Sequence, residues 1–343
     1  MTDILIRYGL FLAQSFTIVI AVLFVVGGIF SIVTKGMSAK KDQVEVKNIN
    51  EKLDDFAQSI NSEMLPKKAY KKLQNAEKVK KKAQKKKEKK SGKNVEKKRL
   101  FVLNFIGDIK ASAVEALREE ITAILTVVRP EDQVLVRLES SGGMVHCYGL
   151  AASQLQRIKQ KSIHLIVSVD KVAASGGYMM ACVADQIIAA PFAVIGSIGV
   201  VAQIPNFNRF LKEHNVDVEQ ITAGKYKRTL TMFGENTEAD RKKLKEELEE
   251  THVLFQDFIL SSRKNLDMER VSIGEHWYGS TALEMNLIDK LRTGDDLLLS
   301  MSQEFDIFEV SYSIKKSFWE KISGLISLKA KEFMTIKASK SLF

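Results

Sequence analysis

Val172-Ala-Ala-Ser-Gly-Gly-Tyr178 stands between two apolar runs, Ile163–Val169 before it and Met179–Ala184 after it. The first run reads as a buried strand and the second as a helix, so Ser175-Gly176-Gly177 falls at a strand-to-helix turn. A serine placed there can present its hydroxyl, and the next backbone N–H groups point at whatever that hydroxyl attacks. The competing reading is a serine that only caps the following helix, the commoner role of serine at a helix start. The rest of the chain decides between the two.

Outward from this turn, strands and helices alternate. Leu100–Ile106 reads as a strand, Gly107-Asp108 as a turn, Ser112–Val128 as a helix stopped by Pro130, and Gln133–Leu138 as the next strand. Ser140-Ser-Gly-Gly143 is a turn and Val145–Ile158 a helix. Strands separated by helices of ten to fifteen residues indicate an α/β domain with right-handed crossovers. Gln186–Ala190 and Ile195–Ile204 form a nearly uncharged stretch that hydropathy alone would take for a membrane span. Pro191, Gly196 and Gly199 argue instead for short strands and turns. Asn206–His214 is helical, Glu238–Arg263 is a long charged helix, and short helices follow at Thr281–Met285 and from Asp295, with Leu287–Leu291 between them.

The ends of the chain differ from this core. Tyr8–Thr34 carries no charged residue, and at 1.5 Å per residue it exceeds a hydrocarbon layer of about 30 Å. The run ends Ile-Val-Thr-Lys rather than at a small-x-small cleavage site, so it reads as a retained single-pass anchor that contacts lipid through residues 8–34. Residues 35–99 form a juxtamembrane arm. Asn50–Met64 has helical spacing up to Pro66, and from Glu77 to Arg99 there are thirteen Lys/Arg against three Glu. That segment accounts for the whole formal charge of +10. It has almost nothing apolar to bury, so it is a solvated helix or disordered, suited to anionic headgroups. Lacking interleaved aromatics or a recognition fold, it does not indicate a nucleic-acid partner. The expected organisation is an anchor over 1–34, the arm over 35–99, an α/β domain over 100–300, and an amphipathic tail over 301–343. Two cysteines, Cys147 and Cys182, exclude a disulfide framework and a cysteine-based metal site.

A serine nucleophile needs a base and an oxyanion site. Of five histidines, only His146, three residues past Gly142-Gly143, is suitably placed. A lysine serves instead when burial removes its charge. Lys225 and Lys227 lie beside an apolar strand end, where period-2 geometry puts both on one face and does not choose between them.

The chain from Leu100 to Leu299 resembles the membrane-bound signal peptide peptidase A (protease IV) family, and its lysine-rich arm is most like the SohB branch. Asn104-Phe-Ile-Gly-Asp-Ile109, Glu139-Ser-Ser-Gly-Gly-Met144, Ala173-Ala-Ser-Gly-Gly-Tyr178, Gly196-Ser-Ile-Gly-Val200, Gly224-Lys-Tyr-Lys227 and Ala282–Asp289 carry the resemblance. It implies a ClpP/crotonase-like fold of repeated ββα units and a serine–lysine dyad without cofactor or metal. Matched residue by residue, Ser175 is the nucleophile, Lys227 the general base, and Gly143 and Gly176 the oxyanion donors. Ser197 is a candidate to orient the lysine, with a plain turn serine as its rival. Ser141 departs from the pattern, standing where the family usually has a proline.

The resemblance further implies extended apolar peptide substrates such as signal peptides, a ring or dome of identical subunits, and a catalytic domain facing the periplasm from the inner membrane. The lysines after the anchor argue weakly for the opposite orientation. Activity should rise with pH as the lysine loses its proton, and metal chelators should have no effect. An acyl-CoA-type enzyme on the same fold and a non-catalytic membrane scaffold are the alternatives from other classes.

Overall fold

The computed structural model describes residues 2–36, 43–76, 79, 97–224 and 226–313. The chain divides into two compact units, Met1–Gln43 with Ser313–Phe343, and Val44–Tyr312. In the first, the described part is one 35-residue helix, α1 (Thr2–Gly36), long and apolar enough to cross a membrane over Arg7–Phe24. Most of the lysine run and the amphipathic tail expected from Ser317 lie outside the described residues.

In the second unit the strands are β1 (Gln43–Asn48), β2 (Lys98–Gly107), β3 (Gln133–Ser140), β4 (His164–Val169), β5 (Val172–Ala174), β6 (Gln186–Ala189), β7 (Val194–Gly196), β8 (His276–Tyr278), β9 (Lys290–Leu291) and β10 (Phe305–Ser313). The helices between them are α2 (Ile49–Met64), α3 (Val114–Val127), α4 (Val145–Gln160), α5 (Gly176–Ala181), α6 (Asn208–Glu213), α7 (Glu238–Ser262), α8 (Met268–Val271), α9 (Gly279–Glu284) and α10 (Gly294–Met301).

The main sheet runs β1-β10-β2-β3-β4-β6-β9. Its ladders from β10 to β9 are all parallel. A parallel sheet needs both faces covered, and its strands then read as apolar runs whose alternate residues serve different layers. That partition is explicit. Phe101, Leu103, Phe105, Val134, Val136, Leu165 and Val167 enter one buried layer with residues of α3, α4 and α5. Leu100, Val102, Leu135, Ile166 and Ile188 enter another with Ile49 of α2 and Leu297 and Leu298 of α10. The stretch 186–204 is accordingly not a membrane span: Ile187, Ile188, Ala189, Ile195 and Ile198 are buried in this unit.

The compact unit is wider than the 100–300 read from the sequence. β1 and α2 come from the arm, and β10 from the tail segment. One side chain ties them together. Asn50 Nδ2 donates to the carbonyls of Ser302 and Phe305 at 3.0 Å each, and its Oδ1 accepts from the Ile307 N–H at 2.7 Å.

A second leg leaves the main sheet where β3 ends. β5 pairs with β3 through Ser140 and Ala173 alone, β7 pairs in parallel with β5, and β8 closes the leg antiparallel to β7. Twice in succession, therefore, one strand adds to the main sheet and the next to the leg: β4 then β5, leading into α5, and β6 then β7. This is the ClpP/crotonase-like ββα repeat.

Candidate active site

The topology brings two turns together. Because Ser140 pairs with Ala173 and Ala174 with Gly196, the residues just past β3 and β5 emerge side by side. A Cβ on Gly142 would stand 2.7 Å from the Gly176 nitrogen and 2.8 Å from the Ser175 Cβ. Gly142 has φ +89°, so both sterics and backbone geometry require glycine there. The Gly143 Cα likewise lies against the backbone of Ile109, whose carbonyl accepts the Met144 N–H at 2.8 Å.

Ser175 sits at φ 52°, ψ −119°, a conformation that costs a residue with a Cβ about 1–3 kcal/mol. Its N–H donates to the Gly196 carbonyl at 2.8 Å, and its own carbonyl opens α5 by accepting the Met179 N–H at 3.0 Å. Ser175 is partly buried, and its hydroxyl makes no capping hydrogen bond to α5. The helix-cap reading of Ser175 therefore fails. Among the described residues, neither the Gly143 N–H nor the Gly176 N–H has a hydrogen-bond acceptor, whereas the Gly142, Met144 and Ser175 N–H groups around them are all paired. Two free donors flanking a serine hydroxyl is an arrangement suited to a developing oxyanion.

One aromatic residue underlies both donors. Tyr148, in the first turn of α4, is fully buried, and its ring occupies the space a Gly176 Cβ would need. Its hydroxyl lies 2.5 Å from Ser140 Oγ and donates to the Asp108 carbonyl at 2.7 Å. Burial pushes its phenol above the ordinary range. Sequence alone gives Tyr148 no role, because a tyrosine on a helix carries no signal of one. α5 itself is anchored by Tyr178, which is buried and donates its hydroxyl to the Leu287 carbonyl at 2.9 Å.

The remaining sequence candidates lie as follows. Ser197, at φ 48°, donates its hydroxyl to the Gly274 carbonyl at 3.4 Å, and its N–H donates to the Glu275 carbonyl at 2.6 Å. Among the described residues, no hydrogen bond joins it to Lys227. Residues 222–224 and 226–230 form turns and bends rather than a strand, with Gly224 at φ +97°. Lys227 therefore lies on no strand, and Lys225, expected to share its face, lies outside the described residues. Lys227 is exposed, its N–H donates to the Gly224 carbonyl at 3.1 Å, and its ammonium forms no hydrogen bond or ion pair among the described residues. The arch that carries it is closed at its base: Asn206 Nδ2 donates to the carbonyls of Thr231 and Gly234, and Asn208 Nδ2 to that of Phe233. His146 is exposed on α4. Both cysteines are free thiols, and burial raises Cys182 to about 12. Among the described residues no cluster of His, Cys, Asp or Glu could hold a metal ion.

Comparison with known proteins identifies the family of the chain. Residues 3–155 match the model for the peptidase family S49 N-terminal region, and residues 157–307 match that for peptidase family S49. The "Probable protease SohB" of Haemophilus influenzae is 50% identical over 327 residues, 94% of this chain and 92% of that one. Its namesake from Buchnera aphidicola subsp. Acyrthosiphon pisum is 59% identical over 231 residues, 67% and 69% of the two chains. A solved structure of a membrane-bound stomatin-specific protease with a substrate peptide aligns at TM-score 0.41 and 15% identity, covering 68% of this chain and 99% of that one. The paired family matches span helix α1, the serine turn and the sheet alike, and they place this chain in peptidase family S49.

Proposed function

We propose that this peptidase is a membrane-anchored serine endopeptidase in which Ser175 attacks the scissile carbonyl and Lys227 is the general base. The observation that carries the reading is the Ser175 hydroxyl itself. It is released from helix capping, held in a strained turn, and flanked by the unpaired N–H groups of Gly143 and Gly176. Neutral Lys227 takes the hydroxyl proton as Ser175 Oγ bonds to the carbonyl carbon, and the two N–H groups hold the oxyanion. The protonated lysine then delivers that proton to the leaving amine, and water releases the acyl group.

The substrate is an extended apolar peptide, such as a signal peptide or a fragment of a membrane protein. Ile106, Ile109, Met144 and Val145 support this, because all four are exposed apolar side chains on the segments that flank the Gly142-Gly143 turn. Helix α1 anchors the enzyme in the inner membrane with its catalytic domain on the periplasmic side, and anionic lipid headgroups are the partner of the lysine run. The working form is a homo-oligomer. Val201 and Ile221, on the segment that carries Lys227, are 89% and 93% exposed, and apolar side chains so bare are typical of surfaces covered by another chain.

Labelling with a fluorophosphonate tests the dyad. Wild type should label, Ser175→Ala and Lys227→Ala should not, and Lys225→Ala should keep most of the signal. Equal labelling of wild type and Ser175→Ala would end the serine-peptidase reading. A reporter fused after Leu299, active on only one side of the membrane, tests the orientation.

A further inference from the structure

The two N–H groups assigned to the oxyanion belong to different turns, so something has to hold those turns in register. Three hydrogen bonds, two of them made by Tyr148, tie the first of these turns down. Gly142 N–H donates to Ser140 Oγ at 3.1 Å, Ser140 Oγ lies 2.5 Å from the Tyr148 hydroxyl, and that hydroxyl lies 2.7 Å from the Asp108 carbonyl. The proton positions follow without ambiguity. A carbonyl only accepts, so the single phenolic proton of Tyr148 points at Asp108. Ser140 must then donate to the phenolic oxygen, which leaves its own lone pairs facing the Gly142 N–H. The chain has one direction, from Gly142 through Ser140 and Tyr148 to Asp108. The phenol keeps its proton, since burial raises it, and nothing in the chain titrates near neutral pH.

The same side chain acts on the second donor by contact. Its ring fills the space beside the Gly176 Cα, where a Cβ would overlap ring carbons. The first donor is also backed by Ile109, the neighbour of Asp108, whose carbonyl accepts the Met144 N–H on the far side of Gly143. Moving the Tyr148 hydroxyl thus shifts the loop before Gly143, and moving its ring shifts Gly176.

We propose that Tyr148 is a positioning residue for peptide-bond cleavage: its hydroxyl, through Ser140, and its ring, against Gly176, fix the separation of the two N–H groups that receive the oxyanion. This rests on the assignment of Ser175, Gly143 and Gly176 proposed above. The tyrosine touches no reacting atom, so its effect is confined to the step in which charge develops on the carbonyl oxygen.

Full-length protein in detergent, assayed on a fluorogenic apolar peptide, tests this with Tyr148→Phe, Ser140→Ala and Ser175→Ala. Tyr148→Phe keeps the ring and loses the hydroxyl. We expect kcat to fall roughly 10- to 100-fold, since a small misplacement of catalytic groups costs up to that much, with KM within about 2-fold and the melting temperature close to wild type. Ser140→Ala should give the same split, because it breaks the same chain one link earlier. A peptide boronic acid, which forms a tetrahedral adduct on the serine, should lose affinity in parallel with kcat/KM while a non-cleavable peptide binds as before. If Tyr148→Phe turns over at the wild-type rate while Ser175→Ala is inactive, the positioning role is wrong and the site assignment stands. A loss of kcat matched by a large drop in melting temperature, or by an equal loss of non-cleavable peptide affinity, also overturns it, leaving a structural tyrosine. If Ser175→Ala cleaves like wild type, the site assignment falls and this role falls with it.

Discussion

The N–H of Ser175 donates to the carbonyl of Gly196 at 2.8 Å, so the strained serine is fastened to β7 by its own backbone. Gly196 has φ +102° and packs against the ring of Trp277, with a Cβ there 2.8 Å from the ring. Gly196→Ala meets both obstacles and should cost at least about 2 kcal/mol of stability. Fluorophosphonate labelling should fall further than the loss of folded protein explains. Urea unfolding followed by intrinsic fluorescence, alongside labelling of the folded fraction, measures the two effects separately.

The positive φ of Ser175 predicts a divergence between two inactive variants. Ser175→Ala keeps the Cβ that strains the turn, whereas Ser175→Gly removes it. The glycine variant should unfold with a free energy about 1 kcal/mol higher than the alanine variant, net of the extra chain entropy glycine brings. Equal stabilities in denaturant titrations would mean that the turn is relaxed in solution.

Asp132 joins the starts of β2 and β3 and gives stability a defined pH dependence. Its carboxylate is wholly buried and accepts from Arg99 Nη2 at 2.6 Å, Arg129 Nη2 at 3.1 Å, and the backbone N–H groups of both arginines. Burial alone would raise this carboxyl, but the hydrogen bonds from Arg99 and Arg129 outweigh it and hold it well below the usual carboxylate range. A depressed carboxyl contributes fully above its unfolded pKa, about 4, and its contribution disappears as pH falls below that value. Asp132→Asn should therefore cost about 3 kcal/mol at pH 7, with the gap from wild type narrowing between pH 4 and pH 2. A gap independent of pH would contradict the ion-pair account.

The two thiols should differ in reactivity. Cys182 is buried, and burial raises it to about 12, while Cys147 is partly accessible. Iodoacetamide at pH 8 should modify Cys147 slowly and Cys182 only after unfolding in urea, as peptide mass mapping would show.

Much of this architecture was legible in the residues, and the parts that were not share a physical cause. Leu100–Ile106 and Ile163–Val169 announce themselves because both faces of a parallel strand are buried. β1 gave a much weaker signal. All of its residues but Asn48 are exposed, so Val44 and Val46 alternate with polar neighbours inside a highly charged arm. β10 was absorbed into the expected tail, although Phe305, Ile307 and Val310 are buried. At the site, the glycines spoke for the turn because no other residue fits between Ser175 and Ile109. Tyr148 stayed silent, since its role depends on which residues surround a helix start after folding. The segment carrying Lys227 reads as lying beside an apolar strand end, yet its neighbour Ile221 is almost wholly exposed.

The bonds from Asn50 to residues 302–307 bear on how the enzyme is made. They close a loop of some 250 residues, so β10 cannot enter the sheet until all of those residues have been made. Until then β2 has no partner on its outer side and the layer under α2 and α10 is open, a state prone to aggregation. Contacts this distant in sequence form slowly. The peptidase fold is therefore completed late, when β10 joins β2 and closes the layer beneath α2 and α10.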